Sequence, residues 1–342
     1  MMLENTRGGV ISKNASNSLK GIAILMIFLS HIPQAISIPW HFENLLAPMG
    51  YHGVSIFLFL SGYGCYLSLK NKSVKAFCVK RLKSIIPPLV IVTIVASLAD
   101  LTVNHVSHSF IEILLNSIGI SHSILHLTWY IQLQYICYIA VVLGSYCKSD
   151  KYKVLLMISF GVAIYFISVI CDETNLWGLN FASFSIGVCI AIYDRELQSY
   201  LGTVSVKKAT VLSMMIWLGL LFFTYVILHN PSGYMLRNAL KGSIAAFFIL
   251  MICGIVAMKP DSGFTEKWLK YILAFTGFAG PEKIGAISYE LYLCHGVFFF
   301  VVPSLLNNNA LLIVPVLLIS MFGAWIIKKL NDLFAVSITC IK

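Results

Sequence analysis

Apolar residues run along this chain in long blocks with few charges inside them, and the blocks are apolar on every side rather than on one stripe. Ten blocks predict helices near 18–37, 53–69, 85–103, 127–147, 153–170, 177–193, 209–228, 240–258, 286–304 and 310–328. Each is close to the roughly 20 residues that cross about 30 Å of hydrocarbon. The pattern therefore predicts an all-α fold: a polytopic membrane helical bundle of about ten transmembrane helices, with residues 1–342 as a single domain. Three polar intervals stand out. The stretch 35–52 reads as an outer loop carrying Trp40, His41, Glu43, Tyr51 and His52. The outer loop 104–126 contains FIEILLNSIGI, a short amphipathic helix for the membrane surface. The inner stretch 262–283 reads as a second interfacial helix, ended by Gly280-Pro281. No internal repeat of the secondary-transporter kind is visible.

Charge supplies the orientation. Only 11% of the residues are charged, 58% are hydrophobic and the mean hydropathy is +0.86, whereas soluble proteins carry about 25% charged residues. With the N-terminus inside, 22 of the 24 Lys and Arg residues fall on inner segments, and only Arg237 and Lys241 fall outside. A missed helix would swap the side of every later loop, so both termini are expected to be cytoplasmic. The net charge of +10 then reads as topology. No basic patch is interleaved with aromatics, so nucleic acid is not an expected partner. The nine cysteines lie scattered, mostly inside apolar blocks, with no disulfide framework. The first block lacks a small-residue cleavage site and is read as a retained helix.

Against that background ionisable residues inside the blocks carry the candidate chemistry, because they are costly in lipid. Lys20 and His31 are eleven residues apart in LKGIAILMIFLSH. That is close to three helical turns, so both project from one face with a rise of about 16 Å. The cation is expected at the membrane surface and the imidazole near mid-bilayer. His31 is either a structural histidine bonded to a neighbouring helix or a general base that takes a proton from an alcohol. Pro33 and Pro39 are expected to bend or end the helix beyond it. KNKSVKAFCVKRLKS adds a dense cationic surface, either positive-inside anchoring or a seat for a polyanion such as coenzyme A, with Arg81 best suited to phosphate. Ser61 and Tyr63, in GVSIFLFLSGYG, lie among small residues that suit close helix packing. Trp129 and Tyr130 fit an outer aromatic belt, while Gln132 and Gln134 lie deeper and need partners. Ser288, Tyr292 and His295 share a helical face in GAISYELYLCHG, with Glu290 nearby. That cluster is either an inter-helix hydrogen-bond network or part of a catalytic site. His105, His108, His122 and His126 share one loop without a nearby Asp or Cys, in spacing that matches no closed metal site, so no metal is expected.

These residues resemble the acyltransferase family 3 membrane proteins, ten-helix O-acyltransferases of bacterial envelopes with eukaryotic relatives. The resemblance lies in the basic residue and His of the first helix (Lys20, His31), in GVSIFLFLSGYG, in KRLKSIIPP, in Trp129-Tyr130 and in ISYELYLCH from Ile287 to His295. It covers almost the whole chain. Ser55 stands where the family usually has Asp, and Ser84 where a second Arg is expected. The chain looks like the stand-alone form, without an appended hydrolase-like domain.

The resemblance implies transfer of an acyl group, most often acetyl, from cytoplasmic acyl-CoA to a hydroxyl of a surface or lipid-linked glycan. The expected setting is the bacterial inner membrane, with membrane lipids around the bundle, acetyl-CoA as co-substrate and no permanently bound cofactor. The oligomeric state, including a homo-oligomer, stays open. Lys20, Lys80, Arg81 and Lys83 would hold the nucleotide end of CoA. His31 would act as general base, or as a transient acyl carrier, with Glu43 orienting it. Trp40, His52, Ser61, Tyr63, Trp129, Tyr130, Gln132, Tyr289, Tyr292 and His295 would line the acceptor pocket. The rival reading is a proton-coupled exporter of a glycan or small solute, with His31 and Glu290 as its relay.

Overall fold

Every element of the computed structural model is helical among the described residues. These are residue 11, residues 13–170, 182–203, 281–306 and 309–339, and the isolated positions 177, 180 and 215. In chain order they form α1 (Lys13–Ala35), α2 (Trp40–Lys70), α3 (Val74–Ala99), α4 (Phe110–Ser117), α5 (Trp129–Ser145), α6 (Asp150–Ile170), α7 (Ser183–Ile192), α8 (Asp194–Thr203), α9 (Pro281–Ala286), α10 (Ser288–Gly296) and α11 (Ile313–Thr339). Wide π-turns follow α3 at Asp100–Asn104 and α10 at Val297–Val301.

Among the described residues six stretches are long and apolar enough to cross a membrane: Ser16–Ala35, Met49–Lys70, Val74–Asn104, His126–Ser145, Asp150–Ser168 and Ala310–Leu333. Among its described residues the block 177–193 yields the ten-residue α7, and 286–304 yields α10 with its π-turn. The blocks 209–228 and 240–258, Arg237 and Lys241, and all but the last residues of 262–283 lie outside the described residues. One expected loop is corrected. Residues 40–52 are helical and form the first three turns of α2, with Glu43 in the first turn where a negative charge suits the helix dipole.

Local chemistry sets several boundaries. Pro33 is inside α1, two residues before its end; lacking an N–H it leaves the Leu29 carbonyl without its usual donor. Ser73 caps α3 by accepting the Ala76 N–H at 3.3 Å. The expected amphipathic helix is α4. Ser109 and Glu112 form a reciprocal capping box: the Ser109 hydroxyl accepts the Glu112 N–H, and the Glu112 carboxylate accepts the Ser109 N–H at 2.8 Å. Those bonds, the backbone one first, hold the Glu112 carboxyl below the usual glutamate range. A lowered folded-state value means that the cap is complete above the ordinary glutamate pKa and is lost as pH falls through the lowered one. Amide exchange of 110–117 is therefore expected to quicken on acidification, and Ser109→Ala to quicken it already at neutral pH. Equal exchange in Ser109→Ala and wild type at neutral pH would refute this.

The chain packs as two compact units. The first holds the chain up to Ala23, Tyr51–Lys70 and Ile139–Gly285. Here α2 and α7 touch backbone to backbone: a Cβ on Gly62 would collide with the Phe184 carbonyl, and one on Gly187 with the Phe59 carbonyl. Three polar bonds tie this unit, the first two of them buried: Ser55 Oγ donates to Asn180 Oδ1 at 2.7 Å, Ser185 Oγ to the Met157 carbonyl at 2.7 Å, and Tyr63 OH to Asp194 Oδ1 at 2.5 Å. The second unit holds Ile24–Gly50, Asn71–Tyr138 and Ala286–Lys342. Its core around α1 and α10 gathers Phe28, Ile32, Ile36, Phe299, Leu306 and Val316.

Candidate active site

Two helices of the second unit each present an aromatic ring and a histidine at helical spacing. On α1 these are Phe28 and His31; on α10 they are Tyr292 and His295, with Phe299 four residues further on. Packing them together stacks the imidazoles of His31 and His295, with centroids 5.5 Å apart and planes 25° apart. Phe300 meets His31 edge-on at 4.8 Å. Phe28, Tyr292 and Phe299 surround His295 at 6.1, 5.7 and 6.1 Å. His31 lies four residues from the end of α1, about 6 Å along the axis, rather than at the helix midpoint.

The hydrogen bonds fix where the protons are. His295 Nδ1 is 3.0 Å from the Leu291 carbonyl. A carbonyl only accepts, so Nδ1 carries the proton and Nε2 the lone pair. That Nε2 is buried without a hydrogen-bond partner, in a residue with 0% exposure. Leaving such an acceptor unsatisfied costs about 1–3 kcal/mol. His31 Nδ1 is 3.2 Å from Gln34 Oε1, which also only accepts, so the neutral ring keeps its lone pair on Nε2. Gln34 is exposed and His31 half-buried. The arrangement is thus a half-buried imidazole stacked on a fully buried one. Gln34 holds the His31 ring, whereas Glu43, expected in that role, is exposed in the first turn of α2.

Other residues expected in the pocket join this cluster or support it. Tyr292 OH donates to the Leu127 carbonyl at 2.8 Å, and Tyr130 packs on the Tyr292 ring at 5.4 Å, with Trp129 edge-on to Tyr130 at 6.2 Å. Tyr289 OH donates to the Ile85 carbonyl at 3.0 Å, fastening α10 to α3. Gln132 finds its partner in the Ile120 carbonyl at 2.6 Å. Trp40 is exposed, edge-on to His41. Glu290 is buried and faces Lys328, 3.9 Å away, which also reaches Asp332 at 3.3 Å. Lys20, His52, Ser61 and Tyr63 belong to the first unit. There Tyr63 is fastened to Asp194, and Ser61 lies 3.8 Å from the Cys65 sulfur.

The cationic stretch opens α3. Lys80 and Lys83 are exposed, while the Arg81 guanidinium lies between the rings of Phe77 (5.2 Å) and Tyr138 (5.6 Å), its Nε buried without a partner. Cation–π contact with both rings holds the guanidinium in place, and its planar edge is the part that forks onto phosphate oxygens. Ser84, in place of a second arginine, donates back to the Arg81 carbonyl at 2.9 Å. In the loop after α3, where the sequence suggests no acid near the histidines, one does stand beside a histidine: His108 pairs with Asp100.

Phe28, Gln34, Phe299 and Phe300 were not foreseen. Phe28 and Gln34 flank His31 at three residues on either side, and Phe299 follows His295 by four, so helical spacing was the available signal. Among curated proteins and among solved structures no match to the chain is found. A family model described as an acyltransferase domain matches residues 13–329, from the first residue of α1 into α11. With that match spanning nearly the whole sequence, over apolar helices of membrane-crossing length, the chain belongs to acyltransferase family 3 and is a multi-pass membrane acyltransferase.

Proposed function

We propose that this protein moves an acyl group, acetyl foremost, from cytoplasmic acyl-CoA to a hydroxyl of a surface or lipid-linked glycan across a bacterial inner membrane. The observation that carries the reading is a half-buried His31 imidazole held through Nδ1 by Gln34 and packed on the rings of His295 and Phe300, which leaves Nε2 of the neutral ring free of the Gln34 contact. His31 Nε2 takes the acceptor's hydroxyl proton as its oxygen attacks the thioester carbonyl. The tetrahedral intermediate collapses with loss of the CoA thiolate, which recovers the proton from the imidazolium. Base catalysis of this kind contributes about 10²–10⁴ in rate. Arg81, held against Phe77 and Tyr138, with exposed Lys80 and Lys83, suits the CoA phosphates.

Membranes containing the protein are expected to turn labelled acetyl-CoA into an alkali-labile ester on polysaccharide. An exporter would move its substrate unmodified and respond to the proton gradient. Arg81→Lys keeps the charge but loses the planar fork, and is expected to raise KM for acyl-CoA about tenfold with kcat little changed. An unchanged KM in Arg81→Lys would remove the cationic seat from the proposal.

A further inference from the structure

A part-buried carboxylate–imidazole pair lies apart from the stacked histidines. His108 Nε2 is 2.6 Å from Asp100 Oδ2, with the two side chains 10% and 15% exposed. The other carboxylate oxygen, Asp100 Oδ1, accepts from Asn104 Nδ2 at 2.7 Å. The same amide nitrogen donates to the Val301 carbonyl at 2.6 Å. Asn104 has two amide hydrogens, and the two acceptors use both. The chain reaches this arrangement through the π-turn Asp100–Asn104 and a left-handed His105 (φ 57°), which bring His108 back over Asp100.

Val301 is the last residue of the other π-turn, and Phe300 just before it is the ring that meets His31 edge-on. Terminal helical carbonyls have no donor within their own helix, and a single wide turn is closed by few bonds. Here Val302 N–H donates to the Val297 carbonyl at 2.9 Å, and the Val301 carbonyl is held from outside by Asn104. A chain of bonds therefore runs from His108 through Asp100 and Asn104 to the backbone beside Phe300, all within the second unit.

We infer that Asp100, Asn104 and His108 are positioning residues, a clasp that holds the Val297–Val301 turn so that Phe300 fixes the His31 ring for proton transfer. The catalytic consequence rests on the acyl-transfer reading; the fastening does not. The part-buried pair anchors the exposed Asn104 amide, and Asn104 reaches the turn. Misplacing a catalytic group by about 1 Å can cost up to about 100-fold in rate without weakening substrate binding.

The test uses the full-length protein in lipid nanodiscs with two readouts. Hydrogen exchange of the peptide covering 297–306 reports the fastening, and steady-state transfer from acetyl-CoA reports its effect. Asn104→Ala and His108→Ala are expected to quicken exchange in that peptide, and to lower kcat about tenfold or more with KM for acetyl-CoA within about twofold of wild type. His108→Gln, which can return an N–H to Asp100, is expected to recover most of both. Unchanged exchange at 297–306 in both alanine variants overturns the clasp, whatever happens to activity. Quickened exchange with full kcat overturns its positioning role. A wild-type protein that transfers no acetyl group would instead sink the acyl-transfer reading, and the exchange readout would still decide the clasp.

Discussion

Glutamine in place of His31 is expected to lower acyl transfer by about 10²- to 10⁴-fold while the protein accumulates normally in the membrane. Glutamine can still hydrogen-bond and fills similar space, but it cannot take up a proton at neutral pH. His31→Ala should fall as far. The position is half-buried beside an exposed Gln34, so neither variant leaves a sealed cavity and the loss should be chemical rather than structural. His295 supplies the comparison. Its ring is fully buried and its Nε2 has no partner, so an incoming hydroxyl meets His31 first. His295→Phe keeps a ring beneath His31 and removes the orphaned acceptor; transfer should fall by less than in His31→Gln. Loss in membrane-normalised ester formation, measured beside protein abundance, checks both. Near-normal transfer by His31→Gln would end the base assignment, and the opposite order of losses would move the base to His295.

The pairing behind that prediction shows where the sequence stops informing. Apolar runs located α1, α3, α5, α6 and α11 because lipid demands unbroken apolar length, and hydropathy measures that directly. The same measure failed at Trp40–Gly50. That stretch is polar enough to read as a loop, yet it is helical, since helix formation follows from local hydrogen bonding and not from transfer energy. Lys20 and His31 were paired because both lie on one helix; His31 and His295 come from distant segments and meet only through packing. Spacing could have supplied Gln34 as the partner of His31, but the more acidic Glu43 drew the assignment. Nothing in the pattern announced the Asp100–His108 pair, which depends on a π-turn and one left-handed residue. Ser55 departs from the family's usual Asp, and the reason is local: its hydroxyl donates to a buried Asn180, a neutral pair that needs no counter-charge.

A single added methyl at the α2–α7 crossing should be felt by the whole first unit. The contact is reciprocal: the Cβ of an alanine at 62 falls on the Phe184 carbonyl, and that of an alanine at 187 falls on the Phe59 carbonyl. Both obstacles are backbone atoms inside helices, so neither can swing aside as a side-chain tip would. The helices must separate, and separation unpacks Phe59 and Phe184, each 1% exposed, and strains the Ser55–Asn180 bond nearby. Overpacking of this kind costs about 1–3 kcal/mol, and Val should exceed Ala at either position. Gly64 provides the control two residues along the same helix, because a Cβ there meets nothing within 4 Å. Gly64→Ala should therefore melt at or slightly above the wild-type temperature, as Ala is the better helix former. Thermal unfolding in detergent should rank Gly64→Ala first, Gly62→Ala and Gly187→Ala clearly lower, and Gly187→Val lowest. If Gly62→Ala and Gly187→Ala melt with wild type, the two helices do not cross at those glycines, and the account of the first unit's packing is wrong.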